Sequence, residues 1–293
     1  MIIAVASGKG GTGKTTVSAS LVSVWKRPVL AVDMDVEEPN LHLFLKPESV
    51  STEMAQLAVP LLDKERCTLC GACAELCQFK AISLLGKNLI LFPDMCHGCG
   101  GCLRVCSEGA LRKGQRELGV VETGITAVGI PCLTGRLRIG EAMSPPLMGK
   151  VRQRMRAIMG KEFRDVIIDA PPGVSCPAMT SVQDADVILL VTEPTPFGLH
   201  DLRLAWQAFR PFGKPMGVVI NRAGLGDEKV QAFCSEKELP LLAEIPFRRD
   251  IAEHYAHGGV LACLDAGMRT LFENLAERVE RLERMALMEV SHA

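Results

Sequence analysis

Eight of the 12 cysteines form two copies of one pattern, C-x2-C-x2-C-x3-C. The copies comprise Cys67, Cys70, Cys73 and Cys77, followed by Cys96, Cys99, Cys102 and Cys106. In cluster-binding proteins this spacing lets three thiolates of one run bind a 4Fe-4S cluster while the fourth binds the partner cluster. The pattern therefore predicts two 4Fe-4S clusters. A zinc site or a disulfide framework is the alternative, and eight cysteines in this doubled arrangement fit both less well.

A second group of residues has the composition of a phosphate-binding loop. Residues 8–15 fit G-x-x-x-x-G-K-[ST] and lie between an apolar run and a helical stretch; they are Gly8, Lys9, Gly10, Gly11, Thr12, Gly13, Lys14 and Thr15, with Thr16 next in the chain. Glycines allow backbone N–H groups to surround phosphates. Lys14 is expected to reach the β- and γ-phosphates and the Thr15 hydroxyl to bind Mg²⁺. The loop predicts ATP and Mg²⁺ as ligands.

Carboxylates follow two further apolar runs. Asp33 and Asp35 come after residues 29–32, and Asp169 comes after residues 166–168 and before a Pro-Pro-Gly turn that ends at Gly173. An acid at a strand end can hold Mg²⁺ through water, and such a turn can respond to the γ-phosphate. A buried aspartate that only caps a loop is the alternative.

The elements that must position these residues alternate between strand and helix. Residues 2–6, 29–32, 166–168, 187–191 and 218–220 are continuous apolar runs, which is typical of buried parallel strands. Helical patterns cover residues 15–25, about 144–159, 199–209 and 271–288. The sequence predicts an α/β fold with a mostly parallel sheet covered by helices on both faces. We expect residues 1–62 and 115–293 to form this domain and residues 63–114 to be an insertion.

The insertion resembles a bacterial ferredoxin with two 4Fe-4S clusters. Beyond the cysteines, Leu76, Ala81 and Ile82 of the first copy match Val105, Ala110 and Leu111 of the second. The proline that usually follows the fourth cysteine is absent, since Gln78 and Ser107 stand in its place. The resemblance implies a small α+β ferredoxin-like domain.

The rest of the chain resembles the deviant P-loop ATPases, the superfamily of MinD, ParA, Mrp and the nitrogenase iron protein. The resemblance rests on Lys9 in K-G-G-x-G-K-T and on the aspartate motifs. It implies that Lys9 reaches nucleotide across a homodimer interface and acts in catalysis with Lys14. It also implies that Asp35 positions the attacking water and that Asp33 lies nearer the magnesium shell. Asn221 and residues 245–247 resemble the segments that contact adenine.

Composition excludes several classes of partner. The formal net charge is −1, which gives no overall attraction to nucleic acid or anionic lipid. No apolar run approaches the ~20 residues that cross a bilayer. The helical stretch of residues 271–288 has an apolar stripe, and its acidic residues offset its arginines. We therefore expect a cytoplasmic protein with no nucleic-acid or membrane partner.

Two of the remaining cysteines suggest a further hypothesis. Cys176 follows Asp169 at the offset of a cluster ligand in the nitrogenase iron protein, so Cys176, alone or with Cys132, could hold or relay a cluster or metal at the dimer interface. The alternative is that Cys176 is a small buried helix residue, since free cysteine packs as an apolar side chain.

The combination of motifs predicts an ATP-binding, slowly hydrolysing protein that couples a dimer switch to electron transfer through two 4Fe-4S clusters. ATP-dependent delivery of iron-sulfur or metal clusters to client proteins is the alternative, and a ParA/MinD-type positioning ATPase is a third. The sequence does not identify the redox or cluster-accepting partner.

Overall fold

The computed structural model describes residues 1–159 and 165–291 of the chain. Its strands are β1 Ile2–Ala6, β2 Val29–Asp33, β3 Glu48–Leu62, β4 Ile82–Leu85, β5 Asn88–Leu91, β6 Leu111–Ile125, β7 Pro131–Leu137, β8 Asp165–Asp169, β9 Val187–Thr192, β10 Met216–Ala223 and β11 Leu241–Pro246. Its α-helices are α1 Lys14–Val24, α2 Leu41–Leu45, α3 Ala72–Leu76, α4 Gly101–Val105, α5 Pro145–Ile158, α6 Cys176–Val182, α7 Pro196–Phe209, α8 Lys229–Glu236, α9 Arg249–Ala256 and α10 Ala266–Ser291. Short 3₁₀ turns cover Pro93–Met95, Arg210–Phe212 and Leu261–Cys263.

One large sheet organises the chain, with the strand order β11-β10-β9-β1-β8-β2-β7-β6-β3. Neighbouring strands are parallel from β11 to β7, whereas β6 and β3 are antiparallel additions at one edge. In the sheet, β8 and β2 lie on one side of β1, whereas β9, β10 and β11 lie on the opposite side. The order of the strands therefore reverses at β1. Ligands of open α/β sheets bind at the carboxyl ends of strands where the order reverses in this way.

Helices cover both faces of the sheet. On one face α1 and α10 pack over the strands, with Val17, Leu21, Phe272 and Leu275 fully buried. The other face is covered by two groups of buried residues, one from α6, α7 and α8 and the other from α5. Strands buried on both sides need apolar residues at successive positions, which explains the continuous runs. The predicted α/β fold with a mostly parallel sheet is confirmed.

The cysteine-rich segment lies at the end of a long hairpin formed by β3 and β6. It contains two similar halves, because Gly71 at φ 81° precedes α3 and Gly100 at φ 72° precedes α4. A small core of Cys73, Ile82 and Leu111 connects the halves to the hairpin. The internal repeat of the sequence is thus also a repeat of backbone conformation. The ferredoxin-like fold itself is not shown.

The predicted 4Fe-4S clusters require a correction. Over residues 1–159 and 165–291, no group of three or more His, Cys, Asp and Glu side chains could hold a metal ion. The correction covers all eight cysteines of the doubled pattern: Cys67, Cys70, Cys73, Cys77, Cys96, Cys99, Cys102 and Cys106. Their exposure is mixed, from buried Cys73 to exposed Cys70 and Cys99. Spacing fixes the order of potential ligands along a loop, whereas binding a cluster requires the thiolates to converge.

The C-terminal helix α10 packs with its apolar stripe against the sheet and α1. Phe272, Leu275 and Val279 are fully buried, whereas Met285 is exposed. None of the helices described by the structure is long and apolar enough to cross a membrane.

Phe272→Ala is expected to lower the free energy of unfolding by about 3–5 kcal/mol, because it removes a fully buried aromatic ring from the core beneath α10. Urea denaturation followed by circular dichroism measures the change. Met285→Ala, at an exposed position of the same helix, is the matched control and should change stability by less than about 1 kcal/mol. Equal effects of the two substitutions would contradict the packing described for α10.

Candidate functional site

The loop between β1 and α1 requires glycine at two positions, for different reasons. Gly13 has φ 95°, and a side chain there would also meet the amide of Asn221. Gly8 lies so close to α7 that an added Cβ would be 2.0 Å from the carbonyl oxygen of Asp201. Glycine therefore lets the loop curve tightly over the strand ends and lets other elements approach it.

A cleft of about 340 Å³ opens in front of this loop. Lys14, Thr15 and Thr16 line one side, together with Gly10, Gly11 and Gly13. The remaining walls come from the segment after β2, from α2, from the turn after β8, from the ends of β10 and β11, from α9 and from the 3₁₀ turn that follows it: Asp35, Glu38, Asn40, Phe44, Pro172, Asn221, Arg222, Pro246, Phe247, Arg248, Ile251, Ala252, Tyr255 and Leu261. The cleft lies at the carboxyl ends of the parallel strands, where their order reverses.

The oxygen atoms expected to bind Mg²⁺ are already in contact with each other. The Thr15 hydroxyl donates a 2.6 Å hydrogen bond to Asp169, and the Ser18 hydroxyl lies 3.0 Å from the other carboxylate oxygen. Burial raises the pKa of Asp169, while the positive charge of Lys14 lowers it. A hydroxyl and a carboxylate are oxygen ligands that suit Mg²⁺, so this pair fits the ion. Elsewhere in the loop, the buried Thr12 hydroxyl has no hydrogen-bond partner among the residues that the structure describes.

The two carboxylates after β2 occupy different environments. Asp33 is fully buried and accepts backbone hydrogen bonds from Asp35 at 3.0 Å and from Leu41 at 2.9 Å. Burial and the nearby Asp169 raise the pKa of Asp33 well above its usual value. Both oxygens of Asp33 therefore stabilise the turn that leads to α2. Asp33 is not among the residues that line the cleft.

Asp35 lines the cleft itself. Burial raises its pKa to about 6, an increase that Lys14 opposes and Asp169 reinforces. A carboxylate that titrates near neutral pH is suited to orient or accept a proton from water, because proton transfer is most efficient when the pKa lies near the working pH.

Hydrolysis of ATP is expected to fall as the pH drops through about 6, the pKa of Asp35. The ionised fraction of Asp35 would decrease from about 90% at pH 7 to about 10% at pH 5, so kcat/KM should decrease roughly tenfold. The measurement is kcat/KM between pH 5 and 8 at constant ionic strength. Asp35→Asn is the control, since ionisation of ATP itself affects both proteins equally. Identical profiles for the two proteins would contradict the assignment.

The far end of the cleft combines predicted and unpredicted residues. The Asn221 amide donates a 2.9 Å hydrogen bond to the Thr12 carbonyl, which ties β10 to the loop. Phe247 lines the same wall. The sequence did not predict that Phe44 and Tyr255 would meet here, with ring centroids 5.5 Å apart. These two rings belong to α2 and α9, and no spacing along the chain relates them.

Lys9 lies on the other side of the loop. Its Nζ is 3.7 Å from a Glu193 carboxylate oxygen and 3.9 Å from one of Asp201. Glu193 also pairs with Arg222, which lines the cleft. Lys9 does not line the cleft of its own chain.

The turn after β8 contacts the loop, and the two cysteines of the metal hypothesis lie in different environments. The backbone N–H of Gly173 donates a 3.0 Å hydrogen bond to the Ser7 carbonyl. Cys176 is exposed at the start of α6, whereas Cys132 is buried in β7, where burial raises its pKa to about 12. In the part of the chain that the structure describes, they form no metal-binding group with other side chains.

Comparison with known proteins assigns the family. A model of the CobQ/CobB/MinD/ParA nucleotide-binding domain matches residues 3–261. The chain belongs to this family. It is 30% identical over 288 residues to an uncharacterized protein of Methanocaldococcus jannaschii, covering 94% of the chain and 97% of the relative. An uncharacterized ATP-binding protein of the same organism is 27% identical over 255 residues, which is 84% of the chain and 74% of that protein.

Solved structures agree with the family. The cell division ATPase MinD of Pyrococcus furiosus is 25% identical, with a TM-score of 0.58, 96% of this chain covered and 98% of MinD. MinD of Pyrococcus horikoshii, solved with Mg-ADP, is 22% identical with the same TM-score; 97% of this chain and 98% of that protein are covered.

These comparisons also correct the predicted function. The structural neighbours are MinD- and ParA-type ATPases, and in residues 1–159 and 165–291 no group of side chains could hold a metal ion. The predicted electron transfer through two 4Fe-4S clusters is therefore contradicted. ATP and Mg²⁺ fit both the family and the cleft.

Proposed function

We propose that the protein is a MinD/ParA-type switch ATPase that binds and hydrolyses MgATP in the cleft. The observation that carries the proposal is the convergence of Lys14, the Thr15–Asp169 pair and Asp35 at the carboxyl ends of β1, β8 and β2. These groups come from three separate strands, and together they supply a cation for phosphate, oxygen ligands for Mg²⁺ and a carboxylate for water.

Each residue has a distinct part in the proposed reaction. Backbone N–H groups of the loop and the start of α1 hold the phosphates, and Lys14 neutralises charge on the transferred group. Thr15 would hold Mg²⁺, with Asp169 next to it, and the ion would neutralise charge between the phosphates. Asp35 orients the attacking water. Asn221 and Phe247, which line the cleft, would contact the base.

The direct test is to measure MgATP binding and phosphate release by the purified protein. We expect saturable binding and slow hydrolysis. Hydrolysis should require Mg²⁺, because enzymes catalyse phosphoryl transfer mainly by positioning charges around the phosphates. Omission of Mg²⁺ is the control. Absence of nucleotide binding by the folded protein would contradict the proposal.

A homodimer with nucleotide at its interface is the second part of the proposal. It is supported by the family and by the position of Lys9, which lies outside the cleft of its own chain against Glu193 and Asp201. A lysine so placed is available to a nucleotide held by a second copy once those carboxylates release it.

Lys9→Ala is therefore expected to abolish ATP-dependent dimerisation and to leave MgADP binding by the monomer within about threefold of wild type. Light scattering after size-exclusion chromatography, with a non-hydrolysable ATP analogue, measures the mass. Lys150→Ala replaces an exposed lysine of α5 and is the matched control, which should dimerise normally. Undiminished dimerisation of Lys9→Ala would contradict the role given to Lys9.

A further inference from the structure

A second pocket, of about 400 Å³, lies on the outer part of the sheet where α2 ends. Four elements contribute to it: α2 with the two residues after it, β3, β6 and β7. The lining residues are His42, Lys46, Pro47, Val50, Thr52, Glu122, Gly124, Cys132, Thr134 and Arg136. None of them lines the nucleotide cleft. The pocket is therefore separate from the site proposed for ATP.

The floor of this pocket is a row of polar side chains across three strands. Thr52 of β3 is paired in register with Glu122 of β6, which is paired in turn with Thr134 of β7. Side chains in such a row point to the same face of the sheet. Nearby, Gly124 lets Pro47 approach closely, since an added Cβ would lie 2.8 Å from the Cβ of Pro47.

The charges above this floor favour an anion. Arg136 donates a 3.1 Å hydrogen bond to Glu122, so these two charges offset each other. Lys46, at the end of α2, has no carboxylate partner among the described residues and leaves one net positive charge. Burial and the nearby Arg136 lower the pKa of His42, which favours the uncharged form of its imidazole.

His42 adds an independent observation. Its Nδ1 is buried and has no hydrogen-bond partner, one of four such side-chain atoms in the part of the chain that the structure describes. Another of the four is the Thr12 hydroxyl in the phosphate-binding loop. A buried polar atom without a partner is unfavourable, and a bound ligand can supply what it lacks.

The helix α2 connects this pocket to the nucleotide cleft. Phe44 lines the cleft and contacts Tyr255, whereas His42 of the same short helix lines the second pocket. The first residue of α2, Leu41, donates its backbone N–H to Asp33, two residues before Asp35. Movement of α2 would therefore alter both sites.

We propose that the pocket bounded by α2, β3, β6 and β7 binds a small anionic metabolite with a carboxylate or phosphate group, and that α2 couples its occupancy to the nucleotide cleft. Lys46 and Arg136 supply the charge-assisted contacts, and the threonines and His42 supply polar contacts around the rest of the ligand. The coupling, but not the binding, rests on the proposed nucleotide function.

The test uses succinate as the carboxylate probe and inorganic phosphate as the phosphate probe. Each is titrated calorimetrically into the full-length protein saturated with MgADP, so that the phosphate-binding loop is filled. We expect saturable binding of at least one probe below about 10 mM. Lys46→Gln and Arg136→Gln should each weaken binding about tenfold. Lys87→Gln, an exposed lysine in the cysteine-rich segment, is the matched control and should bind within about twofold of wild type.

The same titration, repeated at several MgADP concentrations, measures the coupling. The bound probe should change the Kd for MgADP by about threefold or more, and MgADP should change the Kd for the probe by the same factor. Absence of saturable binding, or equal weakening by Lys87→Gln, would overturn the site. Binding without reciprocal change would overturn the coupling. If the protein binds no MgADP, the proposed ATP function fails. The anion pocket is then tested by titrating the probes into the nucleotide-free protein and into nucleotide-free Lys46→Gln.

Discussion

Lys14→Ala is expected to weaken MgATP binding by about 100-fold or more. Lys14 is the first residue of α1 and is buried beside the cleft, so its ammonium has little access to bulk water. Its proposed contacts with two phosphates are charge-assisted hydrogen bonds worth about 1.5–3 kcal/mol each. Loss of both amounts to about 3 kcal/mol or more, which is at least 100-fold in Kd. Titration with a fluorescent ATP analogue in the presence of Mg²⁺ measures the change.

The electrostatics of the free site predict a second consequence of this substitution. Lys14 lowers the pKa of both Asp35 and Asp169, so its removal should raise both pKa values further. Protonated carboxylates are poor Mg²⁺ ligands, and the variant should therefore also bind Mg²⁺-nucleotide poorly at pH 6. Lys150→Ala controls for the loss of one positive charge elsewhere. A Lys14→Ala variant that is folded and binds MgATP within threefold of wild type would rule out the proposed phosphate contact.

The central sheet could be predicted because its pattern is local. Residues 187–191 are apolar at every position, since β9 is buried on both faces. The phosphate-binding loop is likewise contiguous in sequence, so its glycines, Lys14 and Thr15 are recognisable without knowledge of the fold. Helix α5 begins after Ser144 with prolines in its first turn, as its sequence predicts.

The edge of the sheet was not predicted, for a physical reason. The first seven residues of β3, from Glu48 to Met54, are all exposed, so no apolar face distinguishes them from a loop. Their strand conformation depends on pairing with β6, which is distant in sequence. The aromatic pair of Phe44 and Tyr255 was missed for the same reason, because tertiary packing alone brings α2 and α9 together.

The edge strands were missed because their local signal was weak, whereas the cysteine pattern gave a strong local signal and a wrong prediction. The doubled spacing is a strong local signal, and the two halves do adopt the same backbone conformation around Gly71 and Gly100. A local signal does not determine whether side chains from different turns converge, and in the described residues they form no group that could hold a metal ion. The prediction of two 4Fe-4S clusters is therefore contradicted for the part of the chain that the structure describes.

The proposed switch depends on a link between the strand ends and the loop. Asp169 accepts a hydrogen bond from Thr15, and the turn that follows it donates from Gly173 to Ser7. If Mg²⁺ binds Thr15 through a lone pair of the hydroxyl oxygen, the hydroxyl proton remains available to Asp169, and the ion and Asp169 are then held next to each other. The turn after β8 would then respond directly to the presence of MgATP, which is how a phosphate site can control a distant surface.

Asp35→Asn is expected to reduce the rate of ATP hydrolysis about 100-fold or more while MgATP binding stays within about threefold. Asp35 lines the cleft, and its pKa of about 6 leaves it mostly ionised at pH 7.5. Asparagine keeps the shape and can still hydrogen-bond water, but it cannot accept a proton or attract one electrostatically. Phosphate release measures the rate, and titration with a fluorescent ATP analogue measures the binding.

Glu38→Gln is the matched control for that experiment, because Glu38 lines the same wall and the substitution also removes one negative charge. If Asp35 acts by its position next to the attacking water, Glu38→Gln should hydrolyse ATP within about threefold of wild type. Equal losses in the two variants would mean that total negative charge matters, not the position of one carboxylate. A large loss of binding in Asp35→Asn would instead place Asp35 among the ligands of the Mg²⁺-nucleotide. The comparison thus separates a role in the chemical step from a role in binding.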